Sequence, residues 1–172
     1  MSAKTSKTIL NIVLGGLFAA VIAVMTGLVP HIPIGATGGY LHFGDAFIFL
    51  AASFLPWPYA LAAAAIGGGL ADVLAGAPEW ALYTVVIKAL ISLCFTAKRE
   101  KLLNVHNWLA LLFAWLISVG GYYLAEAFIY GNWAAPVASI PGNCIQALGS
   151  SIIFVLAALL LDRLGFKKRF RL

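Results

Sequence analysis

The chain has 172 residues, 63% of them apolar, with a formal net charge of +5 and a mean hydropathy of +0.99. So apolar a composition indicates a membrane protein, and the positive charge is then no argument for nucleic-acid binding. Because a transmembrane helix needs about 20 residues, little is left over for a soluble domain, and we expect residues 1–172 to form a single integral-membrane domain.

Six apolar segments follow one another and predict transmembrane helices over residues 9–29, 42–55, 59–74, 79–96, 108–129 and 140–161. Turns rich in proline and glycine separate them, the longest being a loop over residues 30–40. The second and third segments are short for a membrane crossing. The predicted fold class is therefore all-α, a polytopic bundle of six transmembrane helices.

The basic residues predict the orientation of this bundle. Ten of the eleven Lys and Arg residues precede the first segment, lie in the break over residues 98–101, or follow the last segment. Lys and Arg accumulate on the cytoplasmic side of membrane proteins. We therefore expect both termini and residues 98–101 to be cytoplasmic, in a multi-pass protein of the bacterial cell membrane.

Small residues form a row on the first segment, where Gly15, Ala19 and Ala23 recur every fourth position. Such rows allow two helix backbones to approach closely in lipid. The row therefore serves either packing within this bundle or docking of a partner protein. The third segment is richer in alanine and glycine, which predicts a buried and tightly packed helix.

Charged residues within the apolar segments are costly and predict an interior cavity or mutual pairing. Asp45 stands at the start of the second segment, where the carboxylate of an N-cap would be satisfied by free backbone N–H groups. Asp72 and Lys88 could form an ion pair with each other, with contact to a ligand as the alternative.

Aromatic and polar side chains share faces of the last three segments, in the half away from the basic residues. Trp80, Tyr83 and Lys88 align on the fourth segment, and Tyr122, Glu126 and Tyr130 align on the fifth. Aromatic walls with a few polar groups suit a small planar ligand, whereas a packing network is the alternative. The candidate ligand-binding residues are Tyr40, His42, Asp72, Glu79, Trp80, Tyr83, Lys88, Tyr122, Glu126, Trp133, Asn143 and Gln146.

Catalytic and cofactor motifs are missing from the sequence. It contains no nucleophile-elbow sequence, no HExxH and no phosphate-binding glycine loop with a lysine. The three histidines are far apart, so we expect no metal site and no cofactor. The protein is predicted not to be an enzyme, and any use of ATP requires another chain.

The stretch GGYLHFGDA at residues 38–46, ADVLAG at residues 71–76 and Lys88 carry a family resemblance. Together with the six segments and the row on the first one, they resemble the substrate-binding S components of energy-coupling factor (ECF) transporters. The similarity is greatest to the riboflavin-type and hydroxymethylpyrimidine-type branch. It extends over the whole chain.

The resemblance implies that the protein binds a vitamin or vitamin precursor in an outward-facing pocket and delivers it inward. Its implied partners are the lipid bilayer, a membrane coupling subunit and two ATPase subunits, with docking through Gly15, Ala19 and Ala23. Hydroxymethylpyrimidine, pyridoxine-like compounds, riboflavin and queuosine precursors all fit as ligands. The alternative is a stand-alone ion-coupled carrier or channel for a small solute, with Asp72, Lys88 and Glu126 as a relay.

Overall fold

The computed structural model describes the backbone of residues 3–29, 32–34 and 39–170, and the side chains of residues 4–29 and 42–168. Its architecture is a helical bundle, as predicted. The elements in chain order are α1 (Ala3–Gly27), β1 (Ile32–Ile34), β2 (Gly39–Leu41), α2 (Gly44–Phe54), α3 (Trp57–Leu74), a 3-10 turn (Pro78–Trp80), α4 (Ala81–Leu93), α5 (Val105–Tyr130), a 3-10 turn (Ala135–Ser139), α6 (Ile140–Arg163) and α7 (Phe166–Phe170).

Four helices, α1, α3, α5 and α6, are long and apolar enough to cross a membrane. Helix α2 has 11 residues and α4 has 13, which correspond to about 17 Å and 20 Å of helix. Helices α1 to α6 confirm the predicted multi-pass bundle, although α4 is shorter than the predicted segment over residues 79–96. The 3-10 turn before α4 and the irregular chain after it account for the rest of that segment.

The predicted loop between the first two helices contains secondary structure that the sequence analysis missed. Strands β1 and β2 form an antiparallel hairpin in which Ile32 pairs with Leu41 and Ile34 with Gly39. Strand pairing satisfies backbone N–H and C=O groups that an extended loop would leave without partners. Strand β2 also contacts α6, so the hairpin lies over one end of the bundle.

Helix α3 packs closely against both α1 and α4, which confirms the prediction from its small residues. A Cβ at Gly67 would lie 2.7 Å from the carbonyl oxygen of Ala19 in α1. A Cβ at Gly69 would lie 2.6 Å from a methyl carbon of Val85 in α4. Such distances are too short for any side chain, so glycine is what allows the three backbones to approach.

The small-residue row of α1 faces this same contact. Ala19 and Ala23 are buried, and Gly15 is buried beside Tyr59 of α3. In this arrangement of helices the three residues pack inside the bundle and cannot touch a second protein. Of the two alternatives, packing within the bundle is therefore the one that this structure shows for them. Docking of a partner through these residues stays a prediction, and it would require α1 and α3 to separate.

Buried polar side chains form several hydrogen bonds at the end of the bundle that contains residues 94–104 and 162–168, called the basic end below. Asn107 donates to Ser53 Oγ and to the carbonyl oxygens of Thr96 and Leu102, and its own oxygen accepts from the Thr96 N–H. The Asp162 carboxylate accepts from two backbone N–H groups at 2.8 and 3.0 Å. These bonds fix the loop that precedes α5.

Lys167 ties the C-terminal helix α7 to the same loop. Its ammonium donates to the carbonyl oxygens of Ser53, Ala97 and Arg99 at 2.9, 2.5 and 2.8 Å. Burial lowers the pKa of Lys167 below that of an ordinary lysine, and the nearby Asp162 opposes this shift. The C-terminal segment and the loop after α4 therefore share one end of the bundle, as the basic residues predicted. That this end is cytoplasmic stays a prediction.

Candidate functional site

A cavity of about 390 Å³ lies at the opposite end of the bundle, called the cavity end below. It is bounded by the C-terminal parts of α1, α3 and α5 and by the N-terminal parts of α2, α4 and α6, with the two 3-10 turns at its edge. Helices of alternating direction bring these six ends together. If the basic end is cytoplasmic, the cavity end faces outward.

A buried ion pair lies among the cavity-lining residues. Lys88 Nζ and Asp45 Oδ1 are 2.6 Å apart, and both side chains are almost completely buried. The expected pairing of Lys88 with Asp72 is therefore wrong. The N-cap position of α2 is Phe43, so the expectation that Asp45 caps this helix is wrong too. Because α2 packs against α4, Asp45 in its first turn reaches Lys88 directly.

Gly44 makes this arrangement possible. A Cβ at position 44 would lie 1.6 Å from Thr26 Oγ1 of α1. No side chain could be accommodated there without moving α1 away from the start of α2. The glycine therefore holds Asp45 close to the bundle axis, where Lys88 can bind it.

Asp72 also lines the cavity but has no lysine or arginine in an ion pair with it among the described residues. Its Oδ2 atom is buried and has no hydrogen-bond partner. A buried carboxylate oxygen without a donor is costly, which makes Asp72 an exception among the buried polar groups that the structure describes.

Gln146 is bonded to the chain rather than free to bind a ligand. Its Oε1 accepts from the backbone N–H of His42 at 2.8 Å, and its Nε2 donates to the His42 carbonyl and to Ser150 Oγ, both at 3.0 Å. His42 Nδ1 accepts from the Gly44 N–H at 3.2 Å. Gln146 thus positions the junction between β2 and α2 over the cavity.

The remaining wall of the cavity is aromatic and acidic. The Trp80 ring lies 6.4 Å from the rings of both Tyr122 and Tyr130, centroid to centroid. Lys88 Nζ lies 5.1 Å from the centre of the Tyr122 ring. Glu126 accepts a hydrogen bond of 2.5 Å from Ser139 Oγ. A planar ligand could stack on these rings while polar groups bind its edge.

The cavity contains eight of the twelve candidate residues, namely His42, Asp72, Trp80, Lys88, Tyr122, Glu126, Asn143 and Gln146. Tyr83 packs against the hydrophobic core, whereas Glu79 and Trp133 are exposed outside the lining. The side chain of Tyr40 lies outside the described ones. Contact between these residues and a ligand stays a prediction.

Several lining residues were not among the candidates. Asp45 was recognised as a charged residue of a membrane segment, with helix capping as the role considered for it, but it was not listed as a ligand-binding candidate. No pattern singled out Thr26, Ser118 or Ser139. Small hydroxyl residues are common on packed membrane helices, so their type alone carries no signal. The helical spacing of Thr84 beside Trp80 and Lys88 was the one available clue to a lining role for that residue.

Comparisons with known proteins agree with this architecture. The family model described as ECF-type riboflavin transporter, S component, matches residues 6–163. A protein of Pyrococcus woesei, described as an uncharacterized protein in the gap 3′ region, is 33% identical over 130 residues, 75% of this chain and 86% of its own length. The thiamine precursor transporter HmpT of Lactococcus lactis is 26% identical over 175 residues, 99% of each chain.

Proposed function

The chain belongs to the family of ECF-type riboflavin transporter S components, and from this premise we propose that it is the substrate-binding subunit of an ECF importer. The cavity at the end opposite the basic residues is the observation that carries this proposal. The protein would capture a small aromatic vitamin or vitamin precursor from outside the cell in this cavity. ATP hydrolysis by partner subunits would then drive its delivery inward.

The cavity supports a small ligand of this class. Its volume of about 390 Å³ falls at the low end of the range for small-molecule sites, about 300–1,000 Å³. Rings of Trp80, Tyr122 and Tyr130 offer stacking surfaces, and Asn143 makes no side-chain hydrogen bond to the described residues. The similarity to HmpT over its whole length supports a thiamine precursor such as hydroxymethylpyrimidine. Riboflavin, pyridoxine-like compounds and queuosine precursors are the other candidates.

The proposed partners are a membrane coupling subunit and two ATPase subunits, in keeping with the family. Contact with the coupling subunit was predicted to use Gly15, Ala19 and Ala23, which are buried against α3. The exposed side of α1 carries a second pair of small residues, Gly16 and Ala20. We place the contact on that side, where a partner helix could approach without opening the bundle.

A stand-alone carrier or channel has less support. A relay through Asp72, Lys88 and Glu126 would need polar groups along the whole crossing. Lys88 is instead held by Asp45, and the open polar groups gather at one end. A binding subunit with one cavity agrees better with this distribution.

Uptake of radiolabelled hydroxymethylpyrimidine and riboflavin tests the proposal in cells that lack their own vitamin importers. The chain would be expressed alone, with an ECF coupling module, and with a module whose ATPases lack the catalytic glutamate. We expect uptake in the second case alone. Equal uptake by the chain without any module would favour the stand-alone carrier and contradict the proposal.

A further inference from the structure

The side-chain amide of Gln146, on α6, is paired with the backbone of one residue. Its Oε1 accepts from the His42 N–H at 2.8 Å, and its Nε2 donates to the His42 carbonyl oxygen at 3.0 Å. In an antiparallel sheet, a neighbouring strand bonds both backbone groups of one residue in this way. The amide therefore takes the place of a neighbouring strand directly after β2, which ends at Leu41.

The same amide has no donor left for a ligand. An amide nitrogen carries two hydrogens, and Nε2 of Gln146 donates to the His42 carbonyl oxygen and to Ser150 Oγ, both at 3.0 Å. Its side chain is only 7% exposed, although it lies in the lining of the cavity. A ligand that accepted from Gln146 would have to displace one of these bonds. The residue is therefore better placed to support the site than to contact a ligand.

The start of α2 follows directly on the residue that Gln146 holds. His42 Nδ1 accepts from the Gly44 N–H at 3.2 Å, and the next residue, Asp45, is 2.6 Å from Lys88 of α4. A continuous series of bonds thus joins α6 to α4 through the start of α2. His42, Asp45 and Lys88 all line the cavity, so this series forms one of its walls. Without Gln146, these printed bonds would hold the wall only from the side of α4.

We infer that Gln146 is a positioning residue for the proposed ligand site. It holds the junction between β2 and α2 through the backbone of His42, and thereby the wall to which His42 and Asp45 belong. The inference rests on the proposed function, because it assumes that the cavity is the ligand site. A wall that is in place for only part of the time weakens the apparent affinity by that fraction.

The variant Gln146→Met keeps the length of the side chain and removes its hydrogen bonds. Calorimetry on the purified protein would measure binding of 4-amino-5-hydroxymethyl-2-methylpyrimidine and of riboflavin. Whichever compound the wild type binds should bind about tenfold more weakly to the variant. Ser150→Ala is the matched control, because it removes one bond of the same amide and keeps both bonds to His42. It should bind with wild-type affinity.

Hydrogen exchange at the backbone amides of residues 42–46 separates positioning from direct contact. In the ligand-free Gln146→Met protein these amides should exchange about tenfold faster than in the wild type, because the junction opens more often. In Ser150→Ala they should exchange at the wild-type rate. Gln146→Asn, whose side chain is one methylene shorter, should show the same two effects as Gln146→Met and replaces that variant if it does not fold.

The outcomes distinguish the inference from the proposed function. Weaker binding without faster exchange would mean that Gln146 contacts the ligand itself, and it would overturn the inference. Faster exchange with wild-type affinity would overturn it too, as would equal effects in Ser150→Ala. Each of these results leaves the proposed function standing. If neither compound binds to the wild-type protein, both the proposed function and the inference are overturned.

Discussion

The two ends of the bundle use buried polar side chains in different ways. At the basic end Asn107 and Lys167 each make at least three hydrogen bonds to neighbouring groups. At the cavity end Asp72 leaves a buried oxygen without a donor, and the side chain of Asn143 makes no hydrogen bond to the described residues. Saturated groups hold the fold together, whereas the incompletely bonded groups lie in the cavity that we propose as the ligand site.

The Asp45–Lys88 pair shows that location alone does not separate the two uses. Both residues line the cavity, yet they are bonded to each other at 2.6 Å and buried. Because each has its partner, they resemble the hydrogen-bonded groups of the basic end. We therefore expect a substitution of Lys88 to lower the stability of the fold more than the affinity for a ligand.

Breaking this pair is expected to have the largest effect. Lys88→Met leaves the Asp45 carboxylate buried without its cation, which should lower the free energy of unfolding by roughly 3–5 kcal/mol. Replacing both residues, as Asp45→Asn with Lys88→Met, should recover part of the loss. Unfolding in mixed micelles would measure this, with Lys98→Met at the exposed basic end as the matched control. A Lys88→Met protein as stable as the Lys98→Met control would contradict a stabilising role for the Asp45–Lys88 ion pair.

The saturated asparagine of the basic end should give the next largest effect. Asn107→Ala leaves Ser53 Oγ, a backbone N–H and two carbonyl oxygens short of a partner, which should cost about 1–3 kcal/mol of stability. Ligand affinity should not change, because the residue lies at the end away from the cavity. The same micelle unfolding assay and calorimetry would measure both quantities. A drop in ligand affinity with unchanged stability would contradict a purely structural role for Asn107.

The open asparagine of the cavity end should behave in the opposite way. Asn143→Ala removes no hydrogen bond within the described part of the chain, so stability should change by less than about 0.5 kcal/mol. Affinity for the bound heterocycle should fall about tenfold, because the ligand loses a polar partner. Loss of stability instead would show that Asn143 is a packing residue, the alternative that the sequence left open.

The helices were predictable from the sequence because lipid demands long apolar segments. Hydropathy and basic loops located helices α1 to α6 but not the short α7, and the glycines of α3 correctly indicated close packing. Helical spacing also brought together Trp80, Lys88, Tyr122 and Glu126, which line one cavity. These features depend on local periodicity, which a single sequence carries.

Pairings between helices were not predictable in the same way. Lys88 binds Asp45 rather than Asp72 because of how α2 sits against α4, which depends on the absence of a side chain at Gly44. The row of Gly15, Ala19 and Ala23 indicated a close contact without identifying the helix that it meets. The β1–β2 hairpin was hidden by prolines and glycines that also suit an irregular loop.

Blocking the cavity tests the central claim most directly. Asn143→Trp would place a large ring in the cavity, whereas Leu148→Trp places the same ring on the exposed side of the same helix. Calorimetry with 4-amino-5-hydroxymethyl-2-methylpyrimidine and riboflavin would measure affinity for both variants beside their melting temperatures. The account predicts that binding is abolished in Asn143→Trp and retained in Leu148→Trp, with both proteins folded. Wild-type affinity in a folded Asn143→Trp protein would contradict it and move the binding site away from this cavity.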